Sequence, residues 1–239
     1  MMVEKAIFAW SGGKDCAMAL YELQKTRCYK ILALLATVTK DYDRVSMHGV
    51  RSILVEQQAR SLGLPLEKIY IAKESSNEEY EAKMRDKLMQ YRDQGVLSVA
   101  FGDIFLEEVR KYREENLSKL GMKGVYPLWK RDTAELARTF IGLGFKAIIT
   151  CVDSKFLGRE FVGREFDERF LSELPPNVDP CGENGEFHSF VYDGPIFSWK
   201  IPYVIGDVVL RDDRFYFCDL IPVQEGIPAT FKKEPRDPR

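Results

Sequence analysis

The apolar positions of this chain come in two patterns, short continuous runs and helically spaced stripes. Residues 6–10, Ala-Ile-Phe-Ala-Trp, form a run that suits a buried strand, and residues 17–23 carry the spacing of an amphipathic helix. Residues 29–38 make a longer run, near-continuous as a strand covered on both faces requires. A polar loop over 39–46 leads to a helical stripe over 50–62, and Gly63 suits its C-terminus. Pro65 precedes a short strand over 68–72. Ser76 and Glu79 form a capping box for a helix that reaches Gln94 and ends at Gly95. A strand over 96–101 closes at Gly102-Asp103, and a charged helix over 105–120 stops at Gly121. This alternation predicts an α/β fold, a doubly wound parallel sheet. Ligands of such sheets bind beyond the carboxyl ends of the strands, where Ser11 to Cys16, the His48 loop and Gly102-Asp103 all fall.

From Tyr126 onward the pattern changes. Asp132 suits the cap of a helix over 133–143, followed by a strand over 147–153 whose last residue, Asp153, is placed to face a cleft. A helix is expected over 163–174, then a rigid proline turn over 175–180. Three short runs, 188–192, 203–210 and 215–220, read as strands, the last two joined by a hairpin at Arg211-Asp212-Asp213-Arg214. This part reads as a smaller α+β domain. The expected division is 1–125, 126–224 and a flexible tail over 225–239.

Composition narrows the class. The chain has 239 residues, and 45% hydrophobic content supplies a packed core. A net charge of -2 makes nucleic acid an unlikely partner. No apolar run is long enough to span a membrane, and residues 1–5 lack the features of a signal peptide, so a cytoplasmic location is expected. Five scattered cysteines and two histidines argue against a disulfide framework and against zinc.

Two stretches carry candidate chemistry. The first, Ser11-Gly12-Gly13-Lys14-Asp15-Cys16, lies between the first strand and the first helix. Its glycines let backbone approach a ligand, and a helix N-terminus favours phosphate. Ser11 adds a hydroxyl and Lys14 an exposed point charge. An ordinary turn is the competing reading. Asp15 suits either a Mg²⁺ ligand or a helix cap. The second stretch, Cys181-Gly182-Glu183-Asn184-Gly185-Glu186-Phe187-His188-Ser189, gathers two carboxylates and an imidazole before a strand. Strand alternation would put Glu186 and His188 on one face with Phe187 opposite, as acid/base or ammonium-binding groups, where the bland alternative is a solvated turn.

The order SGGKDC resembles the PP-loop of N-type ATP pyrophosphatases. With MHGV at 47–50, FGDI at 101–104, YPLW at 126–129 and CGENGEFHSFVYDGP at 181–195, the chain resembles the diphthine–ammonia ligase family over residues 4–221. The resemblance implies a PP-loop, adenine nucleotide alpha hydrolase-like ATP-binding domain with a smaller C-terminal domain at the substrate cleft. It implies that ATP activates a carboxylate as an acyl adenylate, releasing pyrophosphate, and that ammonia then displaces AMP. Ser11, Gly12, Gly13, Lys14, Asp15 and Cys16 match the pyrophosphate loop, with Cys16 in place of the commoner Ser. His48 is a candidate for nucleotide or substrate contact, or a satisfied loop histidine. Asp15 or Asp103 would hold Mg²⁺. Glu183, Glu186 and His188 match the signature loop, with Glu186 expected to orient or deprotonate the amine and Asp103 grouped with them as catalytic. The implied acceptor is the diphthine of elongation factor 2. The GEFH ending, where diphthamide-forming members usually carry GEFET, implies a small-molecule acceptor such as a corrinoid side chain instead. A homo-oligomer is left open. Two other readings stand beside the ligase: a sulfur transferase using Cys151 and Cys181, and a nucleotide-binding sensor that keeps the first loop without needing Glu183, Glu186 and His188.

Overall fold

The computed structural model describes residues 3–223, so the tail expected over 225–239 lies outside the described residues. The first half is a parallel sheet built from β1 (Glu4–Ala9), β2 (Tyr29–Thr39), β4 (Leu66–Ile71), β5 (Ser98–Ala100) and β6 (Lys123–Val125). Its spatial order is β4-β2-β1-β5-β6, every neighbouring pair parallel. The chain therefore steps outward from β1 to β2 and β4, then returns to the other side of β1 with β5 and β6. The reversal lies between β1 and β5, which leaves a crevice at their carboxyl ends. A two-residue strand, β3 (Arg44–Val45), runs antiparallel to Val38 and Thr39 of β2, beyond the point where β1 stops opposite Leu35. It delivers the His48 loop to that crevice.

Helices α1 (Lys14–Thr26), α2 (Ser52–Leu62), α3 (Asn77–Arg92) and α4 (Glu107–Ser118) connect these strands. Side-chain alternation splits the sheet between two cores. Phe8 and Leu34 point into one with α1 and α2, while Ile7 and Leu35 point into the other with Leu88 of α3 and Leu117 of α4. The caps follow the sequence: Ser76 Oγ accepts from Glu79 N–H at 3.2 Å, and Gly63 ends α2 at φ +68°.

The second half comprises α5 (Thr133–Gly142), β7 (Lys146–Asp153), α6 (Glu168–Glu173), β8 (Phe187–Asp193), β9 (Tyr203–Arg211) and β10 (Phe215–Pro222). Its strands form an antiparallel sheet in the order β8-β7-β10-β9. The helix expected over 163–174 is confined to α6. Glu165 instead bridges Ile148 of β7, and the Asp167 carboxylate caps α6 by accepting from Phe170 N–H at 2.7 Å. The core on the α1 side continues without a break into this half through Phe140, Ile148, Phe187 and Phe190. Among the described residues no helix is long and apolar enough to cross a membrane.

Candidate active site

A cavity of about 770 Å³ opens at the β1–β5 crevice. Its wall includes Ser11, Lys14, Asp15 and Cys16 after β1, His48 after β3, Gly102 and Asp103 after β5, and Glu183, His188 and Ser189 of the second half. Four stretches far apart in sequence thus meet in one chamber.

The glycine loop is held from two sides. Gly12 stands at φ +82°, and its carbonyl accepts from Val191 N–H of β8 at 2.9 Å and from the Gln58 side-chain amide at 3.0 Å. Gln58 is fully buried on α2. Its oxygen accepts from the Trp10 indole at 2.9 Å, and its Nε2 donates to the Val191 carbonyl at 2.5 Å. Lys14 N–H donates to Ser189 Oγ at 3.2 Å, so β8 also holds the first amide of α1. Gly102 packs against the same turn, and a Cβ there would stand 2.9 Å from the Asp15 carbonyl carbon and the Cys16 nitrogen. Gln58 escaped the sequence reading. The signal for Gln58 was a polar residue on the buried stripe of α2, among Leu54, Val55 and Ala59.

Lys14 corrects an expectation. It is 4% exposed rather than a free point charge. Its ammonium contacts both Asp15 carboxylate oxygens at 2.8 Å, donates to the Cys181 carbonyl, and lies 5.4 Å from the Phe187 ring centroid. Burial disfavours its charge, but Asp15, Cys181 and Glu183 outweigh that and hold its pKa above the usual lysine value. Asp15 is not a helix cap: it lies in the first turn of α1, whose N-cap is Gly13. Ser11 Oγ accepts from Gly13 N–H and stands 3.3 Å from Cys16 Sγ. Burial pushes the Cys16 thiol up to about 11.

The two carboxylates of the signature stretch part company. Glu186 is 1% exposed and does not reach the cavity wall. Its carboxylate accepts from Asp179 N–H, Asn184 N–H and the Asn184 side-chain amide, each at 3.0 Å. It precedes β8 rather than lying in it, so strand alternation does not pair it with His188. Glu183 does line the cavity, and its Oε1 accepts from Ile104 N–H at 2.7 Å and Phe105 N–H at 3.4 Å. Burial raises its pKa to about 7 against the pull of those amides. Phe187 is buried in the shared core.

Asp103 pairs with Arg113 of α4, whose Nη2 donates to Oδ1 at 3.2 Å. Arg113 Nε stands 2.8 Å from Oδ2, a charge contact without hydrogen-bond alignment, so Oδ2 is buried with no hydrogen-bond partner. Oδ2 thus faces the Arg113 charge and keeps lone pairs that fit a further cation. Among the described residues, His, Cys, Asp and Glu side chains form no metal-type cluster of three. Asp153 faces no cleft: it is 1% exposed and bound to Arg214 of the β9–β10 hairpin. His48 and His188 pack against each other with ring centroids 4.6 Å apart and planes tilted by 42°.

Sequence models of the diphthamide synthase N-terminal and C-terminal domains match residues 4–124 and 132–216. The chain belongs to the diphthamide synthase family. The shared region takes in the glycine loop, the Asp103 turn and the signature stretch. The diphthine–ammonia ligase of Danio rerio is 27% identical over 226 residues, covering 85% of this chain and 88% of that protein. The Schizosaccharomyces pombe protein of the same name is 27% identical over 221 residues, covering 83% of this chain and 36% of that one. The human one is 31% identical over 131 residues, covering 52% and 48%. This family member thus spans about a third of the fission yeast relative, and its match takes in about half of the human one. A U34-tRNA thiolase structure from Methanococcus maripaludis aligns over 59% of this chain and 57% of that one, at TM-score 0.36 and 16% identity.

Proposed function

We propose that this protein is an ATP-dependent ligase that converts a substrate carboxylate to an amide, in the manner of the diphthine–ammonia ligases it resembles. The observation that carries the reading is the lacing of the glycine loop to the signature stretch. Gly12 bonds Val191 at 2.9 Å and Lys14 bonds Ser189 at 3.2 Å, around one cavity. A phosphate-binding turn that served a sensor would not need that second stretch. A cavity of about 770 Å³ is large enough for a nucleotide and an acceptor side chain together.

In this reading the backbone of residues 11–16 and the N-terminus of α1 hold the ATP phosphates. The acceptor carboxylate attacks the α-phosphorus, the bond to the β-phosphate oxygen breaks, and pyrophosphate leaves. Ammonia then attacks the acyl carbon, the carbon–oxygen bond to AMP breaks, and the nitrogen loses one proton. Glu183, a cavity carboxylate with its pKa raised to about 7, is the group suited to take that proton. Glu186, fully engaged by the loop backbone and Asn184, holds the loop in shape instead. Asp103 and Asp15 would hold Mg²⁺, which would supply charge neutralisation at the phosphates. Lys14 stays buried, fixing Asp15 and the Cys181 carbonyl across the two halves.

The diphthine of elongation factor 2 is the acceptor we favour, since the relatives that cover most of this chain are diphthine–ammonia ligases. The division near residue 125, and work in the cytoplasm, belong to the same proposal. A sulfur-transferase reading loses support because burial pushes the Cys151 thiol up to about 12 and raises that of Cys181 too. The test is incubation with ATP, ammonium and diphthine-bearing elongation factor 2, followed by product analysis. The expected products are AMP, pyrophosphate and the amide, and ADP with phosphate would refute the adenylation route.

A further inference from the structure

The chain contains two histidines in 239 residues, and the fold brings both to one point of the cavity wall. His48 arrives on the loop after β3 of the parallel sheet, and His188 on β8 of the antiparallel sheet. Their ring centroids are 4.6 Å apart with planes tilted by 42°.

The hydrogen bonds fix one tautomer. His48 Nδ1 lies 3.3 Å from the Ser189 carbonyl, which can only accept, so Nδ1 carries the hydrogen. Nε2 of a neutral ring then keeps its lone pair, and no described residue donates to it. Neither ring nitrogen of His188 has a hydrogen-bond partner among the described residues. The His48 ring also lies against the glycine loop, its Cε1 3.0 Å from where a Gly13 Cβ would stand. The pair therefore offers one unpartnered acceptor nitrogen on each neutral ring, on the cavity wall beside the glycine loop.

Both rings are poor hosts for charge. Two imidazolium ions at this separation would repel, and the Lys14 ammonium adds to the positive potential on both. Burial, the leading cause, holds His48 down to about 4 and His188 well below the usual histidine value. The nucleophile that an amide ligase must place is small, neutral and rich in N–H donors. We propose that His48 and His188 form the ammonia site of this enzyme, accepting hydrogen bonds from the nitrogen before it attacks the acyl carbon. This rests on the ligase reading and adds the position of its second substrate.

Two experiments test it and separate its failure from that of the ligase reading. The first needs no turnover. Tag-free protein with nitrogen-15 histidine shows two imidazoles in its spectrum. It is titrated with ammonium chloride, and in parallel with potassium chloride, at mildly alkaline pH with a non-hydrolysable ATP analogue. Saturable shifts of both imidazoles with ammonium alone are expected. No shift, or an equal shift with potassium, overturns the site whatever the enzyme does.

The second compares His48→Gln and His188→Gln with wild type. The KM for ammonium is expected to rise about tenfold, the loss of one hydrogen bond. Acceptor-dependent exchange of pyrophosphate into ATP, which precedes ammonia, is expected to stay within about threefold, too small a change for a lost contact. Parallel loss of exchange and amidation would assign the histidines to nucleotide or acceptor and overturn the proposal. Absence of exchange in wild type would refute the ligase reading alone, with the titration still deciding the site.

Discussion

Gln58 gives the sharpest link between packing and function. It is fully buried, and its single amide group makes three hydrogen bonds, to the Trp10 indole and the carbonyls of Gly12 and Val191. Gln58→Leu keeps most of the volume and removes all three. At about 1 kcal/mol net each, the loss is about 3 kcal/mol, and a buried Trp10 N–H left unpaired adds about 1–3 kcal/mol. For a chain of this length a loss of 3 kcal/mol lowers the melting midpoint by about 6–12 °C. Gln58→Glu is the informative partner. It preserves an acceptor for Trp10 but turns a carboxylate oxygen towards two carbonyls, so it should cost more than Leu despite its closer shape. The same bonds set the path of Gly12, so ATP affinity should fall about tenfold or more even where the fold survives. The assay is urea denaturation of the three proteins with ATP titration by calorimetry. A Leu variant within about 1 kcal/mol of wild type, the net worth of one hydrogen bond, with unchanged ATP affinity would refute the reasoning.

Four further outcomes are expected. Gly102→Ala places a methyl 2.9 Å from backbone atoms of Asp15 and Cys16. It should cost about 1–3 kcal/mol and weaken ATP binding, read by the same titrations. Glu186→Gln should destabilise the protein by about 1–3 kcal/mol, because Gln keeps one acceptor oxygen but turns an NH2 group towards donors that now meet Oε1 or Oε2. Glu183→Gln, which keeps an oxygen for Ile104 N–H, should fold normally and slow amidation by about 10²–10⁴-fold, with denaturation and single-turnover rates separating the two. The histidines should make the fold acid-sensitive. His48 is neutral in the fold down to about pH 4, while an unfolded imidazole binds its proton near 6.5. The unfolded chain therefore holds the extra proton in that window, and stability is full above it and falls as pH drops through it. For His48 the loss is on the order of 3 kcal/mol. Glu183, with its pKa raised, acts in the opposite sense, so denaturation midpoints of wild type and His48→Gln at each end of the window are the measurement.

The alternation of apolar runs and helical stripes was enough to read the parallel sheet, and the Ser76, Gly63 and Asp132 caps stand where local chemistry puts them. What escaped depends on contacts between distant segments. Nothing near Lys14 announces that Cys181 will take its ammonium, 167 residues away. The pairing of Glu186 with His188 failed for a local reason: alternation holds within a strand, and β8 begins one residue later, at Phe187. The helix expected over 163–174 lost its first turn to a bridge between Glu165 and Ile148, a tertiary choice that apolar spacing does not encode. Glu183 and Glu186 look alike in sequence. Only folding shows that one carboxylate faces the cavity while the other is used up by the loop's own N–H groups.

The central claim is that an acyl adenylate forms in this cavity. It is tested most directly by labelling both acceptor carboxylate oxygens with oxygen-18 and weighing the AMP released. The adenylation route transfers one labelled oxygen to AMP as ammonia displaces it, so AMP should gain one heavy oxygen for each amide formed. Unlabelled AMP, or ADP as the nucleotide product, would contradict the account.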